Sequence, residues 1–342
     1  VTTGALEHEH VNGGTSLPGG PKKIDATRNS LIGLVYNILS LSARLALFAA
    51  LPRLIPYGPL GRYFYVIAIV AILTKFLDWG TAGMVKRFAI PMYHNSPERI
   101  LSFILRLGVH KLFLVGLVAI AVGFLPQLGE SNWERWAMVG AAGALTYAGL
   151  GGRILYASDQ VSTLRGLELS YQILQPVLVV VFFFLLGMDG VPTAVLVSTL
   201  ALLGLNTLAS RRYMPQSDGK RYRFSNEEIK FGLVVYFGNM VFTEFPSITV
   251  AVINWIYPDQ VALQAITGIA VALALRTLVQ FCTFIPASTE NYVMQIGTLG
   301  VPDELARALR EQWRQMNLFA IGLISVVYVS ADSAIPILLG AK

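Results

Sequence analysis

Hydrophobic and polar positions along the chain alternate on a long scale: a polar stretch reaches residue 29, and nine apolar segments follow. Each segment has roughly 18 to 24 residues, enough to cross about 30 Å of hydrocarbon as a helix. They are placed at residues 31–51, 63–83, 105–125, 136–155, 169–187, 191–208, 231–252, 261–284 and 318–339. Breaks such as Met188, Asp189 and Gly190, or Tyr257, Pro258 and Asp259, carry turn chemistry, so neighbouring spans are expected to form antiparallel hairpins.

Composition supports this pattern. Of 342 residues, 54% are hydrophobic and 13% charged. A soluble domain carries about a quarter of its residues charged, so most of this surface is expected to face lipid. The expected fold class is an all-α integral membrane protein of about nine transmembrane helices. A single cysteine, Cys282, excludes an intramolecular disulfide.

The net charge of +6 acquires meaning from its distribution. If the leader is cytoplasmic, nineteen lysines and arginines fall in the inside segments, Lys111 and Arg153 counted among them, and only Arg53, Arg62, Arg135 and Lys342 fall outside. That is the positive-inside bias of a multi-pass membrane protein with a cytoplasmic N-terminus. It leaves no basic soluble domain for nucleic acid and favours contact with anionic membrane lipids.

The longest inside loop divides the chain. Residues 1–29 read as a disordered cytoplasmic leader, 30–210 as a six-helix lobe, 211–230 as a basic linker and 231–342 as a three-helix partial second lobe. Ser225 followed by Glu228 fits a capping box that starts the seventh helix. Leu305, Leu309 and Trp313 recur every four residues, a stripe suited to an interfacial helix or to an extension of the ninth span.

Ionisable residues inside the spans carry the candidate chemistry: Arg44 in the first, Lys75 and Asp78 in the second, Glu244 in the seventh and Arg276 in the eighth. Each costs about 2.5 to 3.5 kcal/mol at a lipid-facing helix centre, so they are expected to face a cavity or one another. Polar neighbours extend each charge into a stripe: Asn37 and Ser40 with Arg44, Asn239, Thr243 and Ser247 beside Glu244, and Gln280 and Thr283 with Arg276. Such stripes line water or join helices by hydrogen bonds. Lys75 and Asp78, at i and i+3, could also neutralise each other as a structural pair. Glu168, Gln172 and Gln175 read as an anchor at the inner end of the fifth span, and His94 and His110 as headgroup-facing.

The two proposed lobes echo each other, with Arg44 matched by Glu244 and Lys75 by Arg276. Repeated lobes around a midplane site are a transporter architecture. No phosphate-cradling loop, zinc-protease motif or nucleophile elbow occurs, so neither a cofactor nor a catalytic centre is expected. The spacing of Glu7, His8, Glu9 and His10 matches no helical zinc motif.

The segment GRYFYVIAIVAILTKFLDWGTAGMVKRFA, residues 61–89, resembles the polysaccharide-export branch of the multidrug, oligosaccharidyl-lipid and polysaccharide (MOP) exporter superfamily, the O-antigen flippases. The likeness rests on a Gly-x-Tyr start, the Asp78, Trp79, Gly80 step and the basic pair Lys86 and Arg87. Ala334 to Gly340 is similar to the close of that family's ninth helix. The resemblance implies two six-helix lobes, so nine spans are expected to be part of a longer protein with a completed second lobe. It implies transport of an undecaprenyl-diphosphate-linked oligosaccharide across a bacterial inner membrane, alongside polysaccharide polymerase and ligase machinery. Arg44, Lys75 and Arg276 would then bind substrate, with Asp78 and Glu244 as coupling or counter-ion carboxylates. The alternatives are a small-molecule exporter of the same superfamily, a peptidoglycan-precursor flippase, or a membrane-integral lipid-sugar transferase.

Overall fold

The computed structural model describes residues 26–158, 160–216, 219, 221–271 and positions 303, 306, 307, 309–311, 313, 314, 317, 318, 321, 322 and 325. The elements are α1 (Ala26–Leu54), α2 (Tyr57–Asp78), α3 (Thr81–Met84), a π-helical turn (Val85–Ala89), α4 (Ile90–Asn95), α5 (Ile100–Gly123), α6 (Asn132–Ala157), α7 (Val161–Leu186), α8 (Gly190–Arg211), α9 (Asn226–Ile256) and α10 (Val261–Ala270). Among the described residues the regular structure is helical throughout. Among the described residues three stretches are long and apolar enough to cross a membrane, Tyr57–Asp78, Pro97–Gly123 and Val161–Arg211, the last containing the α7–α8 hairpin. These stretches correspond to the second, third, fifth and sixth of the nine expected spans.

The bundle is built around α2. Leu60, Phe64, Val66 and Leu77 of this helix are fully enclosed, and it packs against α5, α6, α8, α9 and α10. A helix apolar on all sides must be covered on all sides, and α2 shows that pattern. By contrast, Leu112, Phe113 and Ile120 of α5 and Phe184 and Leu185 of α7 are each more than 60% exposed. Apolar belts of this size on helices of spanning length fit lipid contact rather than water. Against α8, α6 presents small residues. A methyl group on Gly151 would come within 3.1 Å of the Asn206 carbonyl oxygen, and Asn206 donates from Nδ2 to the Ala148 carbonyl oxygen at 3.2 Å. Close backbone approach of this kind joins helices where lipid supplies no hydrophobic driving force.

Several boundaries differ from the sequence expectation. The first helix already includes residues 26–29, and α2 starts at Tyr57, so Tyr57, Gly58 and Pro59 form its first turn rather than a preceding loop. Proline is compatible with a helix start because the first amide groups have no intrahelical acceptor. The second span stops at Asp78 instead of reaching residue 83: Trp79 (φ 45°) and Gly80 (φ 73°) are both left-handed, and the chain turns into α3. The turns at Gly187–Asp189 and after Tyr257 occur where expected. So does the capping box, in which the Glu228 amide donates to Ser225 Oγ at 3.2 Å and the Ser225 amide to Glu228 Oε2 at 2.6 Å.

At the start of α2, Arg62 is ion-paired with Glu134 and lies 3.3 Å from Glu130, joining α2 to the first turn of α6. The Glu134 side chain is 4% exposed. Arg62→Ala would strand that carboxylate and is expected to lower unfolding free energy by about 2 kcal/mol. Thermal unfolding in mild detergent checks this, with Arg62→Lys recovering part of the loss.

Candidate functional site

Two adjoining chambers run along the enclosed helix α2. The first, about 200 Å³, is lined by Arg44 of α1, Tyr63, Ile67 and Ala71 of α2, and Tyr171, Gln172 and Gln175 of α7. The second, about 180 Å³, is lined by Thr74, Lys75 and Asp78 of α2, Thr81 of α3, Lys111 of α5, and Thr146 and Arg153 of α6. Leu145 of α6 lines both.

Polar groups enter the otherwise apolar first chamber because α1 and α7 turn their polar stripes towards each other. Ser40 donates to Gln172 Oε1, Gln175 Nε2 donates to the Tyr171 hydroxyl at 2.8 Å, and the Tyr63 hydroxyl reaches Gln175 Oε1 at 3.4 Å. Gln172 and Gln175 therefore line the cavity instead of anchoring the fifth span at an interface. The reason is register: α7 begins at Val161, eight residues before the apolar run at residue 169, which carries the stripe well into the bundle. Glu168 pairs instead with Arg165, 2.7 Å away.

The second chamber holds an ion pair that hydropathy does not reveal. Lys111 Nζ lies 3.5 Å from Asp78 Oδ1, with the Lys111 side chain 2% exposed and the Asp78 side chain 28%. The same carboxylate accepts from Thr81 Oγ1 at 2.8 Å and from the Ala82 amide at 3.2 Å, so it also caps α3 just after the α2 break. Asp78 is thus tied to α5 and to α3 as well as lining the chamber beside Lys75. Lys111 and Arg153 had been counted among the inside-loop charges; both line this chamber. A depth estimate could have found Lys111: it lies 11 residues from the start of α5, about 16 Å along the axis.

The chamber is mechanically joined to α9. Gly80 meets Gly232 so closely that a methyl group would lie 1.8 Å from the Gly232 carbonyl oxygen. The Trp79 ring stacks on Tyr236 at 5.5 Å. Farther along, Arg87 pairs with Glu227 at 3.4 Å and sits over the Phe231 ring at 4.5 Å. Contacts of the residues just after Asp78 therefore reach the first three turns of α9.

Of the residues singled out in the sequence, Arg44, Lys75 and Asp78 come together along this cavity. Glu244 has its backbone in α9, while its side chain, like those of Asn37, Asn239 and Thr243, lies outside the described residues. Arg276, Gln280, Thr283, Cys282, Leu305 and the leader's Glu7 to His10 also lie outside them. His110 packs on Phe224 at 5.5 Å. Among the described residues no group of three or more His, Cys, Asp or Glu side chains could hold a metal ion.

Helices of spanning length thus pack around a cavity lined by charged side chains. Comparison with solved structures agrees at the level of fold. The chain is similar to a MOP superfamily transporter from Pyrococcus furiosus, with a TM-score of 0.54 and 15% identity over 92% of this chain and 75% of that one. That protein's binding pocket is described as having reverse polarity, suggesting a different function. No protein-family profile matches the sequence, and no curated protein matches it significantly.

Proposed function

We propose that this chain serves a flippase that moves an undecaprenyl-diphosphate-linked oligosaccharide across the bacterial inner membrane by alternating access. Its N-terminus is cytoplasmic, and residues 30–210 and 231–342 contribute to two facing lobes. One observation carries the reading: the cationic residues Arg44, Lys75, Lys111 and Arg153 line the two chambers, together with Asp78 among the described residues. A cavity with ammonium and guanidinium groups on its walls suits an anionic cargo, and guanidinium groups suit phosphate oxygens because they donate two parallel hydrogen bonds. A cationic drug would meet repulsion in the same space, which disfavours the small-molecule exporter for cationic cargo. The charged groups converge inside the bundle rather than in loops at one face, as a lipid-sugar transferase would require. Arg276 and Glu244 are assigned to the opposite lobe as a further substrate ligand and a counter-ion. Polysaccharide polymerase and ligase are the proposed partners.

Binding of undecaprenyl diphosphate to the complete protein in nanodiscs, measured by native mass spectrometry, tests the proposal. Arg44→Ala and Arg153→Ala are each expected to weaken binding about tenfold or more, the scale of a lost charge-assisted hydrogen bond. Wild-type affinity and wild-type lipid export in both variants would sink it. Equal transport of a peptidoglycan precursor and an oligosaccharide-linked lipid would favour the peptidoglycan flippase alternative.

A further inference from the structure

A second charged concavity lies away from this cavity, where α5 and α9 begin. It is an open cleft of about 510 Å³ lined by Arg99, Arg221 and Arg223, with Ser102, Phe88 and Tyr222 among its walls. Residues 221–225 run without regular structure, and exposure alternates along them: Arg221 and Arg223 are exposed, while Tyr222 and Phe224 are half-buried. Alternate side chains of an extended strand point to opposite sides. The aromatic side is pinned, since Phe103 of α5 meets Tyr222 at 5.1 Å and Phe224 at 5.6 Å, both edge-on. Pinning one side holds both arginines of the other beside Arg99.

The cleft also contains Glu228, but its carboxylate is turned to other partners. The residue is 5% exposed and accepts from the Ser225 amide at 2.6 Å and the Tyr222 hydroxyl at 2.5 Å. Burial, followed by that bond to Glu228, pushes the Tyr222 phenol well above its ordinary value, so it stays a neutral donor. Three arginines thus line an open cleft in which the one carboxylate among the described lining residues serves as a helix cap. Arg99 stands immediately before α5, inside the first turn of the apolar stretch Pro97–Gly123, which puts the cleft at headgroup depth.

We infer that this cleft binds the phosphate of an anionic phospholipid headgroup, with Arg99 contributed by the start of α5 and Arg221 and Arg223 by the segment leading into α9. A bound headgroup bridges those two elements and fixes the linker on α5. The inference rests on membrane placement of the bundle and not on the identity of the cargo. Basic pockets at the ends of membrane helices recognise such headgroups through charge and hydrogen bonds together.

Native mass spectrometry of the full chain released from nanodiscs of phosphatidylglycerol and phosphatidylcholine tests the site. The variant Arg99→Gln, Arg221→Gln, Arg223→Gln is expected to retain phosphatidylglycerol about a hundredfold less, at roughly fivefold per basic residue near the surface. Its phosphatidylcholine retention and helical circular dichroism should match the parent. Arg223→Gln alone supplies a milder test, expected at about fivefold. Unchanged phosphatidylglycerol retention in a folded triple variant overturns the site. Displacement of the lipid by millimolar inorganic phosphate would assign the cleft to soluble phosphate instead. Parallel loss of undecaprenyl diphosphate binding would make it part of the cargo path; unaffected cargo binding is expected and separates this inference from the proposed transport function.

Discussion

Lys111→Met is expected to lower unfolding free energy by about 3 kcal/mol, the scale on which removal of one partner from a buried ion pair leaves the other uncompensated. Asp78 is the stranded group, and its side chain is only 28% exposed. Adding Asp78→Asn should restore all but about 1 kcal/mol, because an amide oxygen still accepts from Thr81 and from the Ala82 amide and so keeps the cap on α3. Chemical unfolding in detergent micelles, run as a double-mutant cycle, measures the coupling directly. A coupling near zero would mean that the chamber solvates Asp78 without Lys111. The companion double change Lys75→Met with Asp78→Asn should show weaker coupling, since the 3.5 Å contact of the carboxylate is with Lys111.

An effect at least as large is expected at the break after α2. Gly80→Val should cost about 4 kcal/mol or more, enough to prevent recovery of monodisperse protein from the membrane. Two independent penalties combine there. The backbone is left-handed at φ 73°, where a β-branched residue is strained, and the new Cβ would lie 1.8 Å from the Gly232 carbonyl oxygen. That oxygen belongs to the backbone of α9 and cannot rotate away as a side chain could. Gly58→Ala is the control: nothing lies within 4 Å of the added methyl group, and alanine favours the helix, so stability should hold or rise by up to about 1 kcal/mol. Size-exclusion profiles and thermal midpoints of the two variants decide the matter. A well-folded Gly80→Val protein would show that α3 and α9 can separate without loss of the fold, and would remove the mechanical link from Asp78 to the linker side.

The candidate site was legible in part, and the parts differ in kind. Arg44, Lys75 and Asp78 stood out because each interrupts an apolar run, where a charge is costly whatever the tertiary structure. Lys111 was hidden by the rule that exposed the others. Its span was placed from residue 105, leaving it near an end and apparently able to reach the interface, whereas α5 begins at Ile100 and places Lys111 opposite Asp78, 33 residues away in sequence. Gln172 and Gln175 were misplaced for the same reason, since the true start of α7 at Val161 sets their depth. Hydropathy marks where apolar runs begin, but a helix starts earlier when polar residues form its first turns.

What the sequence determined by itself is local or collective. Helical class and lipid exposure follow from composition and run length, and the capping box at Ser225 and Glu228 follows from two residues three positions apart. The turns at Gly187–Asp189 and after Tyr257 were equally readable, because glycine, proline and aspartate act through their own backbone. Only the tertiary structure decided which charges share a chamber, that Gly80 must be glycine where it meets the Gly232 backbone, and that Arg99 lines one cleft with Arg221 and Arg223. Those outcomes depend on which faces of distant helices meet, and a single chain's periodicity fixes the face of each helix without fixing its neighbour.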